Sequence, residues 1–151
     1  MSTPRIYEIL ALDDNEGDLR LIQEAFAECG HSCHLTCTKS IQDAVKILQT
    51  KTFDLVLSDM GPTREGIELV RVIRGDDRLR ATPVIVLSGM VNASPAYEAG
   101  ANAFISKSAD LDTFFARVRS LMHFWVNVAE LPHTHQESFS AWYIFGQQAF
   151  A

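Results

Sequence analysis

The segment FDLVLSD, residues 53–59, is a short apolar run that leads directly into a carboxylate. An apolar run of this length without polar alternation predicts a strand over residues 53–58 that is covered on both faces, as in a parallel sheet. Four further segments are predicted to be strands, and they span residues 6–12, 34–38, 83–88 and 103–106. The chain therefore contains five candidate strands, and Asp59 follows the third of them at once.

Segments with helical periodicity separate the predicted strands. Apolar residues recur at helical spacing in residues 19–26, 41–48 and 67–73, as on the buried face of an amphipathic helix. Ser40 and Ser94 precede the second and fourth helical segments and are expected to be their N-caps. Strands that alternate with amphipathic helices predict an α/β fold, in which a parallel sheet has helices on both faces.

The last predicted helix is the longest, with Asp110 as its N-cap and an end near Pro132. We expect it to turn six apolar side chains inward, namely Leu111, Phe114, Val118, Leu121, Met122 and Trp125. Neighbouring pairs such as Phe124 and Trp125 cannot both face the core, because successive helical residues point about 100° apart. Part of this apolar surface is therefore expected to lie outside the core.

Composition excludes several classes of function. The formal net charge of -6 disfavours nucleic-acid binding, which requires clustered Lys and Arg. No apolar run approaches the roughly 18 residues of a membrane span, and the start of the chain lacks the pattern of a secretion signal. We therefore expect a cytoplasmic domain with neither a nucleic-acid nor a membrane partner.

Cysteines and histidines cluster between the first helix and the second strand. Cys29, Cys33 and Cys37 are odd in number in a chain without an export signal, which indicates reduced thiols. His31 and His34 lie among them, but the spacing does not match that of structural zinc sites. We expect ordinary thiols and solvated side chains here.

Five polar side chains lie at the predicted carboxyl ends of strands: Asp13, Asp14, Asp59, Ser88 and Lys107. Any one of them would usually be a turn residue, a helix cap or a solvated side chain. The carboxyl ends of parallel strands meet at one edge of the sheet, where ligands of open α/β folds bind. Their joint placement therefore predicts one pocket.

The residue types in this pocket suit phosphoryl transfer. Three crowded carboxylates repel one another, and a hard cation such as Mg²⁺ relieves the repulsion by taking oxygen ligands. A carboxylate beside the metal can then attack phosphorus and form an acyl phosphate. Lys107 and Ser88 would supply donors to the phosphoryl oxygens.

The chain resembles the receiver domain of two-component response regulators over residues 6–128. The resemblance rests on LALDDN (residues 10–15), DLVLSD (54–59), TPVIVLSG (82–89) and AGANAFISK (99–107). It implies a flavodoxin-like, doubly wound, five-stranded parallel sheet of order 2-1-3-4-5. The segment HFWVNVAELP, residues 123–132, is similar to stand-alone receivers that pair with bacterial phytochromes and related histidine kinases.

The resemblance also implies a role for each candidate residue. Asp59 would be the phosphoacceptor, modified by a sensor histidine kinase of phytochrome type in a reaction that the receiver itself catalyses. The implied metal ligands are Asp14 and Asp59 directly, Asp13 through water, and one backbone carbonyl. The remaining residues with implied roles are Ser88 as the switch hydroxyl, Phe104 as the rotameric aromatic and Lys107 as the phosphate-binding lysine. The chain would thus be a signalling protein and not a metabolic enzyme.

Three departures from the family pattern concern the loops. The segment DMGPTREG, residues 59–66, is one residue short, so the carbonyl ligand is that of either Met60 or Gly61. The region from Ser88 to the fourth helix is also short, and Ser108 replaces the usual proline after the lysine. These departures motivate an alternative, a pseudo-receiver that acts as a phosphorylation-independent interaction module. A phosphohydrolase is disfavoured, because Gly61 stands where such enzymes carry a second acid.

We divide the chain into a receiver domain, residues 1–132, and a C-terminal tail, residues 133–151. In the tail, Phe139, Trp142 and Tyr143 follow helical spacing, which suits docking or dimerisation. Surplus apolar surface on the last helix favours an interface, and two-fold dimers are the commonest assembly. We therefore expect a homodimer through the last helix, and the alternative is a monomer whose own tail covers that surface.

Overall fold

The computed structural model describes residues 5–28, 33–61, 64–89, 92–107 and 110–132. Its strands are β1 Tyr7–Leu12, β2 Cys33–Thr38, β3 Leu55–Asp59, β4 Val84–Ser88 and β5 Ala103–Ser106. They form one sheet of order β2-β1-β3-β4-β5, in which every neighbouring pair is parallel. The expected flavodoxin-like order is confirmed, and each strand lies close to its predicted bounds.

Helices cover both faces of the sheet. They are α1 Glu16–Glu28, α2 Ile41–Thr50, α3 Glu65–Gly75, α4 Ser94–Ala99 and α5 Leu111–Met122. Because successive strand residues point to opposite faces, Leu10 and Leu12 of β1 join a core with α2, α3 and α4. Ile9 and Ala11 join a second core with α1 and α5. The predicted parallel sheet buried on both sides is therefore present.

The structure confirms two of the predicted helix caps and corrects the third. The Ser40 side chain accepts a hydrogen bond from the backbone N–H of Asp43, and Asp110 caps α5 in the same way. Ser94, by contrast, is the first residue of α4, which follows Ala93 without a side-chain cap. The oxygen of the Asn92 side chain accepts the N–H of Ser94 at 3.1 Å, so the capping polar group lies two residues earlier.

The last helix changes its winding before it ends. After Met122 the chain continues as a π-helix, His123–Val128, and the N–H of Ala129 donates to the carbonyl of Phe124, five residues back. Apolar residues are thereby divided between core and surface, as expected, with Phe124 and Val128 exposed. The expectation for Leu111 was wrong: it begins the helix and is 61% exposed.

The guanidinium of Arg74 ties the end of α3 to the connection between α4 and β5. It donates to the carbonyls of Gly100 at 2.8 Å and Thr82 at 2.7 Å. It also donates to the side-chain oxygen of Asn102 at 2.7 Å, and that oxygen accepts the N–H of Val84 at 2.8 Å. One side chain thus fixes α3 relative to two strands.

Several regions singled out in the sequence lie partly or wholly outside the described residues, among them residues 62–63 of the loop after Asp59 and Ser108. Cys33 and Cys37 are half-buried on β2, whereas His34 pairs with Glu8 at 2.8 Å; Cys29 and His31 lie outside the described residues. The tail, residues 133–151, also lies outside them. None of the helices in the described ranges has the length and hydropathy that crossing a bilayer requires.

Candidate functional site

The carboxyl edge of the sheet brings together all five polar residues predicted to form one pocket. Asp13 and Asp14 follow β1 directly, and Asp59 and Ser88 are the last residues of β3 and β4. Lys107 follows β5, and its backbone N–H donates to the carbonyl of Ser88 at 2.7 Å. The parallel register therefore places the end of each of these strands beside the next.

Three of these side chains form an acidic cluster. Carboxylate oxygens of Asp13, Asp14 and Asp59 lie within 4.8 Å of one another. Two oxygens on opposite sides of Mg²⁺ are about 4.2 Å apart, so small side-chain movements would let one ion contact all three carboxylates. Asp13 is buried, Asp59 is half-buried and Asp14 is exposed, which leaves one side open to water and phosphate. The donor set therefore fits a hard divalent cation.

The ammonium of Lys107 lies at the centre of the site. Its Nζ is 2.7 Å from Asp13, 2.7 Å from Asp18 and 3.0 Å from Asp59. Burial alone would lower the pKa of Lys107, but the hydrogen bonds to these three carboxylates outweigh it and raise the pKa above its usual value. The side chain is only 15% exposed, so this charge is largely shielded from water.

Asp13 is the acid most affected by its surroundings. Burial raises the pKa of its carboxyl to about 6, against the lowering effect of hydrogen bonds from Lys107 and the backbone of Asn15. The nearby charge of Asp59 raises it further. Because three carboxylates share Lys107, the positive charge of the lysine is secure, and Asp13 is the group that a bound cation would relieve most.

Asp18 belongs to the site, although the sequence analysis missed it. It lies in the first turn of α1, and its carboxylate accepts a hydrogen bond from the Lys107 ammonium at 2.7 Å. Its backbone N–H donates to the side chain of Asn15 at 3.1 Å, and the N–H of Asn15 donates to Asp13 at 2.9 Å. The only available signal was an acid in the first turn after the Asp13–Asp14 pair, where acids are common as helix-dipole partners.

Ser88 and Phe104 lie on the β4–β5 side of the site. Ser88 is buried and lines a hollow of about 350 Å³ with Asp59 and Lys107. Phe104 is half-buried and packs against the core formed with α2, α3 and α4. Its backbone N–H donates to the hydroxyl of Tyr97 on α4 at 3.2 Å. The residue expected to be the switch aromatic is therefore linked to α4 through its own strand.

The loop after Asp59 is shaped by a close backbone contact. A Cβ atom on Gly66 would stand 2.0 Å from the carbonyl oxygen of Asp59, so no larger residue fits there without a shift. The carbonyl of Met60 accepts the N–H of Gly66 at 3.4 Å, and that of Gly61 accepts the N–H of Arg64 at 3.3 Å. Both candidate carbonyls thus retain a second lone pair.

The site has two adjoining hollows that meet at Asp59. The larger one, of about 350 Å³, reaches Ser88 and Lys107. The smaller one, of about 20 Å³, lies beside Asp14 and includes Met60 and Gly61, with room for about one water-sized group. Gly61 borders both hollows, whereas Met60 borders only the smaller. Asp59 therefore borders both a small hollow among the acids and a larger one that reaches the lysine.

The fold and this site define a class of protein. The sequence matches the response regulator receiver domain over residues 9–119, and the chain belongs to that family of two-component signalling proteins. Its structure is similar to that of the phosphorylated cyanobacterial phytochrome response regulator RcpA. The TM-score is 0.80 at 31% identity, with 85% of this chain and 100% of RcpA covered.

The chain is also similar to other response regulators. Response regulator Rcp1 of Synechocystis sp. is 27% identical over 135 residues, which cover 82% of this chain and 92% of Rcp1. The Mn²⁺-bound form of Rcp1 gives a TM-score of 0.78 at 27% identity, and the match covers 84% of this chain and 99% of Rcp1. A response regulator in red light signalling of R. palustris gives 0.75 at 29% identity, and the match covers 85% of this chain and 99% of that one. By contrast, the 28% identical match to AtoC of Escherichia coli covers 91% of this chain and only 30% of AtoC.

Proposed function

We propose that this protein is a stand-alone response regulator whose Asp59 accepts a phosphoryl group from a sensor histidine kinase. The observation that carries the proposal is the position of Asp59, whose carboxylate lies within one cluster with Asp13 and Asp14 and 3.0 Å from the ammonium of Lys107. A nucleophile, a cation site and a fixed positive charge are the parts that phosphoryl transfer requires.

The proposed reaction is a single displacement at phosphorus. An oxygen of Asp59 forms a bond to phosphorus while the bond from phosphorus to the donor imidazole nitrogen breaks, and the departing nitrogen keeps the electron pair. Lys107 and the hydroxyl of Ser88 donate hydrogen bonds to the phosphoryl oxygens. Asp14 and Asp59 directly, Asp13 through water, and the carbonyl of Gly61 or Met60 would hold Mg²⁺. The ion would supply charge neutralisation at the transferred group.

We propose that phosphorylation changes the conformation of the protein through linked movements of Ser88 and Phe104. A phosphoryl oxygen on Asp59 would attract the hydroxyl of Ser88, and the side chain of Phe104 would follow into the space that this movement opens. The contact between Tyr97 and the backbone of Phe104 would carry the change to α4. The exposed face formed by α4 and β5 is then the surface on which a partner reads the phosphorylated state.

The proposed partners are a sensor kinase and a second copy of this chain. The kinase is inferred from similar proteins, and the second copy from exposed apolar side chains on the last helix. RcpA is a phytochrome response regulator, and we propose a kinase of phytochrome type for this chain, acting in the cytoplasm. The exposed side chains of Phe124 and Val128 support a homodimer through the last helix. The net charge of -6 gives no support to a nucleic-acid partner.

Direct phosphorylation tests the proposal. Incubation with acetyl phosphate and Mg²⁺ should add about 80 Da, the mass of one phosphoryl group, and Asp59→Asn should abolish the adduct. Asp77→Asn is the matched control, because it makes the same substitution at an exposed acid that pairs with Arg80 and borders neither hollow. No adduct on the wild type, together with no change on adding beryllofluoride, would instead identify a pseudo-receiver.

A further inference from the structure

Lys107 has a third acidic partner that does not belong to the metal cluster. Its ammonium carries three N–H bonds, and its three carboxylate partners are Asp13, Asp18 and Asp59. Asp13 and Asp59 are also members of the cation cluster, whereas Asp18 is not. Asp18 is therefore the partner whose oxygens remain available when the other two face a cation or a phosphoryl group.

Asp18 is itself held in place. The N–H of Asp18 donates to the side chain of Asn15, and the N–H of Asn15 donates to the carboxylate of Asp13. These two hydrogen bonds link the start of α1, which carries Asp18, to the acid cluster. With only 28% of its side chain exposed, Asp18 is also partly shielded from water, which strengthens its charged hydrogen bond.

A lysine without such a tether would be poorly placed for this reaction. Its flexible four-carbon stem carries a compact charge, and once Asp13 and Asp59 turn to the cation, the ammonium would be free to swing away. We propose that Asp18 is a positioning residue that holds the ammonium of Lys107 beside Asp59 during phosphoryl transfer. This inference rests on the proposed function, since it assigns Asp18 a part in the same reaction.

The effect of losing Asp18 can be separated from a plain charge effect. Removing a negative charge near the site would by itself reduce the repulsion of an anionic phosphodonor and speed the reaction. Losing the hydrogen bond that positions Lys107 would instead slow the reaction. We expect Asp18→Asn to lower the rate constant for phosphorylation by acetyl phosphate about tenfold, the worth of one charge-assisted hydrogen bond. In a Lys107→Ala background the same substitution should have no slowing effect, because the group that it positions is absent.

Glu16→Gln is the matched control. Glu16 lies in the same turn of α1 and carries the same charge, but its partner is Lys39. We expect this variant to react at the wild-type rate or slightly faster. Equal slowing by Glu16→Gln and Asp18→Asn would show a general effect on α1 and overturn the proposal, as would equal slowing in the presence and absence of Lys107.

A second measurement needs no phosphoryl group. Nitrogen-15 NMR of lysine ammonium groups in the protein with Mg²⁺ added should show Lys107 as a slowly exchanging signal, assigned by its loss in Lys107→Ala. In Asp18→Asn this signal should broaden and exchange faster with water, and in Glu16→Gln it should not. An unchanged signal in Asp18→Asn would overturn the tether even if the wild type is phosphorylated. A wild type that is not phosphorylated but shows the tether would instead overturn only the proposed function.

Discussion

Replacing Gly66 by alanine should damage both the fold and the site. The added Cβ would stand 2.0 Å from the carbonyl oxygen of Asp59, 2.6 Å from its carbonyl carbon and 2.9 Å from the Cα of Met60. All three atoms belong to the backbone, so no side-chain rotation relieves the overlap. The start of α3 must therefore retreat from the end of β3 by about 1 Å to restore a normal contact distance.

That retreat breaks contacts that the glycine allows. The buried hydroxyl of Ser58 donates to the carbonyl of Gly66 at 3.1 Å. The N–H of Gly66 donates to the carbonyl of Met60 at 3.4 Å. A buried polar group left without its partner costs about 1–3 kcal/mol, and overpacking costs about 1–3 kcal/mol more. We expect Gly66→Ala to lose about 3–5 kcal/mol of unfolding free energy and about 10–15 °C in Tm.

Thermal and urea unfolding of Gly66→Ala and Gly75→Ala test this expectation. Gly75 ends the same helix, and a Cβ there meets nothing within 4 Å, so its replacement should be neutral or stabilise by about 0.5–1 kcal/mol. Gly66→Ala should also accept phosphoryl groups more slowly, because the backbone of Asp59 moves. A Gly66→Ala protein that melts within about 2 °C of the wild type would refute the reasoning.

Three other variants have clear expected outcomes. Lys107→Ala should fold but should destabilise the metal-free protein by about 2 kcal/mol, because three acids lose their shared cation; thermal melts should show that Mg²⁺ recovers most of the loss. Burial raises the pKa of Asp13 to about 6 from its ordinary value of 3.8. The ionised carboxylate therefore lowers the free energy of unfolding, by its full amount above pH 6 and by less as the pH falls towards 3.8. Asp13→Asn should therefore raise the metal-free Tm at pH 7 and have little effect near pH 4, and an equal gain at both would contradict the assignment. Replacing Phe124 and Val128 together by serine should convert the proposed dimer to a monomer in light scattering, and a wild type that is already monomeric at micromolar concentration would exclude that interface.

The strand ends were predictable because the signal is local. An apolar run followed directly by an acid predicts both a buried strand and an acidic side chain at the carboxyl end of that strand. This local pattern was sufficient to predict the position of Asp59. The order of the strands came from the family resemblance, since periodicity alone does not say which strands are neighbours. The pocket itself followed from placing Asp13, Ser88 and Lys107 at one edge of a parallel sheet.

The residues that escaped prediction depend on distant contacts. Asp18 meets Lys107 across 89 residues of sequence, and an acid in a first helical turn looks the same whether or not a cation faces it. Leu111 fits a helical apolar pattern, yet it is the first residue of α5 and its side chain is 61% exposed. The π-helix after Met122 also changes which residues of the last helix face the core. Val126 is buried there, although the helical pattern of the sequence predicted Trp125 as the inward residue.

Helix α3 is held at both ends, and this restricts how the gene can vary. Gly66 abuts the backbone of Asp59 at one end, and Arg74 binds Gly100 and Asn102 at the other. Deleting or inserting one residue between them would change the separation by about 1.5 Å and rotate one anchor by about 100° relative to the other. Both anchors could not then be satisfied, so substitutions are tolerable between Gly66 and Arg74 but changes in length are not.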